Sequence, residues 1–145
     1  MKSITRLILF AVLLTAATVT FGQDRGYKHG SVWNVGFIKT NANMSQDYLK
    51  SLKTTWKAVN DEAVKEGLIL SYKILEGNAA TPDDWNIMLI QEYKNMGAMD
   101  NIEDKWEAIQ KKVVGNEDAM KKLNETRVSM RTIYGGKLLR EIIYN

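Results

Sequence analysis

The sequence predicts an α+β protein in which a four-stranded antiparallel sheet carries its helices on one face. Three observations predict it. Apolar residues alternate with a period of two in four separate stretches, they recur at spacings of three and four in the segments between, and the order is strand, helix, strand, strand, helix, helix, strand. Two strand–helix–strand crossovers in that order make the split βαβ, or ferredoxin-like, plan.

The chain of 145 residues opens with Lys2 and Arg6, continues with the apolar run LILFAVLLTAATV and reaches small residues at Thr20 and Gly22. A basic start, a short apolar centre and small residues at a cut point are the layout of a secretory signal. Residues 1–22 are therefore expected to be removed, and residues 23–145 to form one domain. The apolar run falls short of the roughly 20 residues that span a bilayer, so no stable membrane span is expected after cleavage. The expected destination is the periplasm or the outside of the cell.

After the polar lead-in QDRGYKHG, residues 31–40 alternate with Trp33, Val35 and Phe37 on one face, which predicts the first strand. Asn43 and Gln46 are spaced as a capping pair. Met44, Tyr48, Leu52, Trp56, Val59 and Ala63 then mark one long amphipathic helix that Gly67 stops. Residues 68–77, LILSYKILEG, form the second strand. The turn GNAATPDD holds the only proline, Pro82, and leads into the third strand, DDWNIMLIQEYKN. Asp100 with Glu103 has the spacing of a capping box, ahead of a helix whose stripe is Met99, Ile102, Trp106, Ile109 and Val113. Gly115 and Asn116 separate it from a weaker helical stretch, residues 117–134. Gly135 and Gly136 read as its stop, and KLLREIIYN as the last strand.

One face of such a sheet has no helices, and here that face is apolar too. The third strand places Trp85, Ile87, Leu89 and Tyr93 on one side and Met88 and Ile90 on the other; the last strand has Leu138, Ile142 and Tyr144 opposite Leu139 and Ile143. Each large apolar side chain left in water forgoes about 1.5 to 3 kcal/mol, so a second cover is expected. A second copy of the chain supplies it most simply, because one patch then serves both subunits. The expected partner is the protein itself, as a homodimer.

With the long first helix carrying Trp56, the helix end and strand EGLILSYKILEG and the Trp85 strand after it, residues 43–76 resemble the NIPSNAP-type members of the dimeric α/β-barrel superfamily. The resemblance implies two sheets packed into a barrel, with a cavity in each subunit between sheet and helices. That superfamily includes haem-degrading monooxygenases, cofactor-free oxygenases, isomerases and small proteins with no assigned activity, so fold says little about chemistry.

Removing residues 1–22 reduces the 20 basic residues to 18 against 17 acidic ones, a net charge of +1. With no clustered Lys/Arg run, nucleic acid is not an expected partner. The chain has no cysteine, which excludes disulfides, a thiol nucleophile and thiolate metal sites. His29 is the only histidine. It is a weak candidate for a catalytic acid, base or ligand, and its place before the first strand departs from the helical proximal histidine of the haem-dependent relatives. No cofactor is expected, with haem a remote alternative through His29, and no metal site. No phosphate loop or nucleophile elbow is present. What remains is an aromatic set with a few inward polar groups: Trp33, Trp56, Trp85, Trp106, Asn34 and Arg131 as ligand-binding residues. Aromatic walls with few polar groups suit a flat, largely apolar organic molecule. The expectation is an exported homodimer that binds a small apolar or aromatic ligand. The alternatives are a cofactor-free oxygenase or isomerase, a haem-linked monooxygenase, and a non-enzymatic structural or interaction module.

Overall fold

The computed structural model describes residues 25–145; the predicted leader, residues 1–22, lies outside them. Ten elements follow one another: β1 (Tyr27–Thr40), α1 (Ser45–Leu52), a π-helical turn (Lys53–Lys57), α2 (Ala58–Lys65), β2 (Ser71–Glu76), β3 (Ile87–Tyr93), a 3₁₀ turn (Met96–Met99), α3 (Glu103–Val114), α4 (Glu117–Val128) and β4 (Arg131–Tyr144). The sheet order is β2-β3-β1-β4. This is the ferredoxin-like order.

β1 pairs antiparallel with β3, from Val32 opposite Tyr93 to Ile38 opposite Ile87, and β2 pairs antiparallel with β3, from Ser71 opposite Glu92 to Glu76 opposite Ile87. β4 runs antiparallel to β1 as well. Asn41 N–H donates to Met130 O, the Gly136 backbone presses on Val35, and Ser31 meets Glu141, so residue numbers fall along β4 as they rise along β1.

The chain divides into two units, and the main one is His29–Ile143. In the smaller one, Asn145 N–H donates to Gly26 O at 3.2 Å and the Tyr27 and Tyr144 rings meet edge-on with centroids 6.4 Å apart.

Alternation decides which side chains the helices cover. Val32 and Ile38 on β1, Tyr72 and Ile74 on β2, and Ile87, Leu89 and Tyr93 on β3 join the helices in two core clusters. One cluster gathers Val32, Tyr93 and Ile109 with Val59 and Ala63 of α2; the other gathers Ile38 and Ile87 with Tyr48 and Leu52 of α1. Trp33, Val35 and Phe37, expected toward the core, point to the opposite face. There the Lys73 ammonium lies 5.7 Å from the Trp33 ring, Phe37 packs on Trp85 at 5.2 Å, and Val35 stands opposite Ile90. The reason is register: both β1 faces are apolar, and the helices took Val32 and Ile38.

Several boundaries differ from expectation. β1 begins at Tyr27 rather than Ser31, because pairing carries it through GYKHG, where no apolar alternation exists. Leu68 and Ile69 are turn residues whose N–H groups donate to Ala63 O; Ile69, 2% exposed, plugs the base of α2. Trp85 precedes β3. Neither expected N-terminal capping pair forms: Met44 and Ile102 precede α1 and α3, with no side-chain cap. Asn116 does cap α4, accepting from Ala119 N–H at 3.0 Å. The largest difference is at the C-terminal end. α4 stops at Val128 and β4 runs straight through the two glycines read as a helix stop. Gly135 has φ +116°, and a Cβ on Gly136 would sit 2.8 Å from Val35 O, so the pair supplies a backbone conformation and a close approach of β4 to β1 that larger residues resist.

Candidate functional site

The helix-facing side of β1 reads Val32, Asn34, Gly36, Ile38, with apolar residues at the ends and a polar and a small one between. β3 supplies Leu89 and Gln91 opposite Gly36 and Asn34. Large apolar side chains there would join the two core clusters into one. Their absence leaves a cavity of about 250 Å³ between sheet and helices, lined by Asn34, Gly36, Tyr48, Leu52, Trp56, Leu89, Gln91, Arg127, Arg131 and Ile133, among others.

The helical wall owes its shape to the π turn. An i→i+5 turn inserts one extra residue into a helix and is common at functional sites. Here it carries Thr55 and Trp56. Thr55 is 4% exposed; its hydroxyl donates to Ser51 O at 2.5 Å and accepts from Arg127 Nη2. The Trp56 ring packs edge-on against Tyr72 with centroids 5.5 Å apart. One turn later Asn60, 1% exposed, donates to Trp56 O at 2.7 Å and accepts from Gln91 Nε2 at 2.7 Å, while Gln91 Oε1 accepts from Asn34 Nδ2 at 3.3 Å. This relay spans α2, β3 and β1, and through it the buried Asn60 fixes the orientation of the Gln91 and Asn34 amides at the cavity wall.

The cationic side of the cavity comes from the junction of α4 and β4. Arg127 lies in the last turn of the helix and Arg131 begins the strand, with the Arg131 guanidinium 5.7 Å from the Tyr48 ring centre. The Nε atoms of both arginines are buried and have no hydrogen-bond partner. Burial lowers the pKa of Arg127; Tyr48 opposes that shift and the like charge of Arg131 adds to it. Burial raises the pKa of Tyr48, and the two guanidiniums pull it back.

Of the residues the sequence nominated, Trp56, Asn34 and Arg131 come together at this cavity. Trp33 and Trp85 lie at the opposite face of the sheet, and Trp106 packs against the first core cluster. His29 is exposed within β1 and does not line the cavity. Asn86 clamps the strand end, accepting from Thr40 N–H and donating to Thr40 Oγ1. Sequence reasoning missed Arg127, Gln91, Asn60 and Tyr48. A signal existed for two of them: Gln91 interrupts the apolar face of β3, and Asn60 sits one helical turn from Trp56.

Two other concavities differ in kind. A small one of about 80 Å³ lies on the other side of Trp56 and Arg127, against Met120 and Leu123 of α4. A groove of about 880 Å³ between α3 and α4 is open to solvent and lined by charges of both signs, including Glu107, Lys111, Glu117 and Lys121. Its size is that of a gap between helices; buried convergent polar groups mark the sheet–helix cavity instead. Among the described residues no group of three His, Asp or Glu side chains is placed to hold a metal ion, and no helix is long and apolar enough to cross a membrane.

No family model and no curated protein matches the chain. Among solved structures it is similar to a dimeric ferredoxin-like protein from an uncultured marine organism, with 14% identity over 81% of this chain and 90% of that one and a TM-score of 0.45. It is also similar to a dimeric protein of unknown function and ferredoxin-like fold from Bacteroides fragilis, with 12% identity over 77% of this chain and 95% of that one and a TM-score of 0.42. Strand order, register and the covered face carry the conclusion by themselves: the chain is an α+β protein of ferredoxin-like fold.

Proposed function

We propose that the protein is an exported homodimer that binds a small, largely apolar or aromatic organic molecule in the sheet–helix cavity of each subunit. One observation carries the reading: Asn34, Gly36 and Gln91 leave the middle of the core unfilled, and the space is walled by Trp56, Leu52 and Leu89 with polar groups converging on it. A core serving stability alone would be packed to crystal-like density here, whereas this space is a hollow partly open to solvent. At about 250 Å³ the cavity suits a ligand smaller than a typical drug.

The dimer is supported by the second face of the sheet and by β4. Leu75, Ile133, Leu138, Leu139 and Ile142 are each 44–59% exposed in a single chain, a load that one partner copy would cover. Export rests on the sequence of residues 1–22. A haem-linked reaction draws no support from the cavity, whose lining offers no imidazole as axial ligand. Base catalysis draws little, since no carboxylate lines the cavity and burial raises the pKa of Tyr48, which disfavours a phenolate at neutral pH.

Native mass spectrometry of the protein isolated gently from its host tests the proposal. The expected result is a dimer carrying extra mass, with Trp56→Ala losing that mass while remaining dimeric. A ligand-free protein, or a ligand held equally by Trp56→Ala, overturns the assignment of the cavity; a bare monomer overturns the dimer.

A further inference from the structure

Among the described residues the two cavity arginines have no carboxylate partner: none of the ion pairs includes Arg127 or Arg131, and no Asp or Glu lines the cavity. Several carboxylates elsewhere in the chain are paired with lysines. Asp61 holds Lys57 at 2.6 Å, and Glu62 and Glu66 both hold Lys112. The described residues thus bring two guanidiniums to one side of a cavity, leave each with a buried unsatisfied Nε–H, and place no carboxylate in the lining to meet them. Such an arrangement is unfavourable in an empty cavity, because a buried donor without an acceptor forgoes its hydration and two like charges repel.

Arg127 is nevertheless held in place. Its Nη2 donates to the Thr55 hydroxyl, which the π turn delivers, and Arg131 rests over the Tyr48 ring. A guanidinium fixed in this way is a preorganised planar fork, matched to the two oxygens of a carboxylate or to a phosphate. Trp56, Leu52 and Leu89 give the wall an apolar part, beside the neutral polar groups of Asn34, Gln91 and Tyr48.

We infer that the molecule bound here is an organic anion: a carboxylate or phosphate group on a small apolar body, its oxygens held by Arg127 and Arg131 and its body against Trp56. The inference rests on the proposed cavity-binding function and adds the charge of the ligand to it.

The test uses the protein as isolated from its host, stripped of bound molecules by dialysis and kept in phosphate-free buffer. Benzoate, phenyl phosphate and the uncharged benzyl alcohol are titrated by calorimetry and by thermal denaturation, with the wild type and with Arg127→Met and Arg131→Met. One anion, benzoate or phenyl phosphate, is expected to bind roughly ten-fold or more tightly than benzyl alcohol, as a charge-assisted hydrogen bond allows. Either substitution should remove that preference while leaving weak benzyl alcohol binding in place. Arg131→Lys, which keeps the charge but not the fork, should retain part of it and serves if a methionine variant fails to fold. Equal binding of anions and benzyl alcohol overturns the inference and leaves the cavity as a site for neutral molecules. No binding of any probe, with methionine variants as stable as the wild type, overturns both readings. Methionine variants that fall apart into monomers would show that the guanidiniums serve a carboxylate of the partner copy, and overturn the inference alone.

Discussion

At the scale of single residues the site rests on Asn60. Its amide is buried between Trp56 O and Gln91 Nε2, so Asn60→Ala leaves a buried donor and a buried acceptor unmet. We expect a loss of about 1–3 kcal/mol in urea denaturation, with Gln91→Leu restoring part of it by removing the stranded amide. Asn34 and Arg131 were legible in the sequence as polar residues inside apolar patterns. The role of Trp33 was not, since Trp33 and Asn34 are neighbours on a strand and cannot face the same side; only the packing of Val32 and Ile38 under the helices decides between them. Arg127 was hidden for another reason. Within one continuous helix it would be an ordinary surface cation, and it becomes a wall of the cavity because the chain turns at Ser129 and Met130 into β4.

At the scale of elements, the long first helix was legible from its apolar spacing, yet that spacing averages over the π turn that breaks it. Deleting Thr54, which is exposed, removes the extra residue of Lys53–Lys57. The expected product keeps its far-ultraviolet circular dichroism and loses ligand binding, because Thr55 and Trp56 no longer present together; retained binding would show that the turn is incidental. Elements also report on pH. Glu62 of α2 accepts from Lys112 of α3, and that hydrogen bond, more than the charge of Lys65, holds its carboxyl below the ordinary glutamate pKa. A carboxylate with a lowered folded-state pKa contributes stability that is fully present above its unfolded pKa, about 4.3, and is lost as pH falls through the folded value. Lys112→Met should therefore melt below the wild type at pH 7, with the gap closing once the pH drops under the ordinary glutamate range. A gap that persists in strong acid would assign the effect to packing of the lysine stem.

For the whole molecule, the strand order was legible because four apolar stretches and their connections admit few topologies. The cavity was not, because it is assembled from β1, α1, the π turn, β3, α4 and β4, and no local pattern records which side chains from such distant places leave a gap. Apolarity on both faces of the strands was legible and is the basis of the proposed dimer. Leu75 and Leu139 are 48% and 47% exposed, so Leu75→Glu with Leu139→Glu costs little within one subunit. Analytical ultracentrifugation should show that pair converting a dimer to a folded monomer. An unchanged sedimentation coefficient would place the interface elsewhere.

β4 is also an edge strand among the described residues, 14 residues long, with no strand beyond it in the order β2-β3-β1-β4. Edges of that length and greasiness recruit whatever strand arrives first. For the proposed homodimer, a newly folded subunit is then in a race between its mate and fibrous self-association, won by speed of encounter rather than by depth of the folded well. Dilution or slow encounter of the copies would then harm this protein more than a modest loss of intrinsic stability.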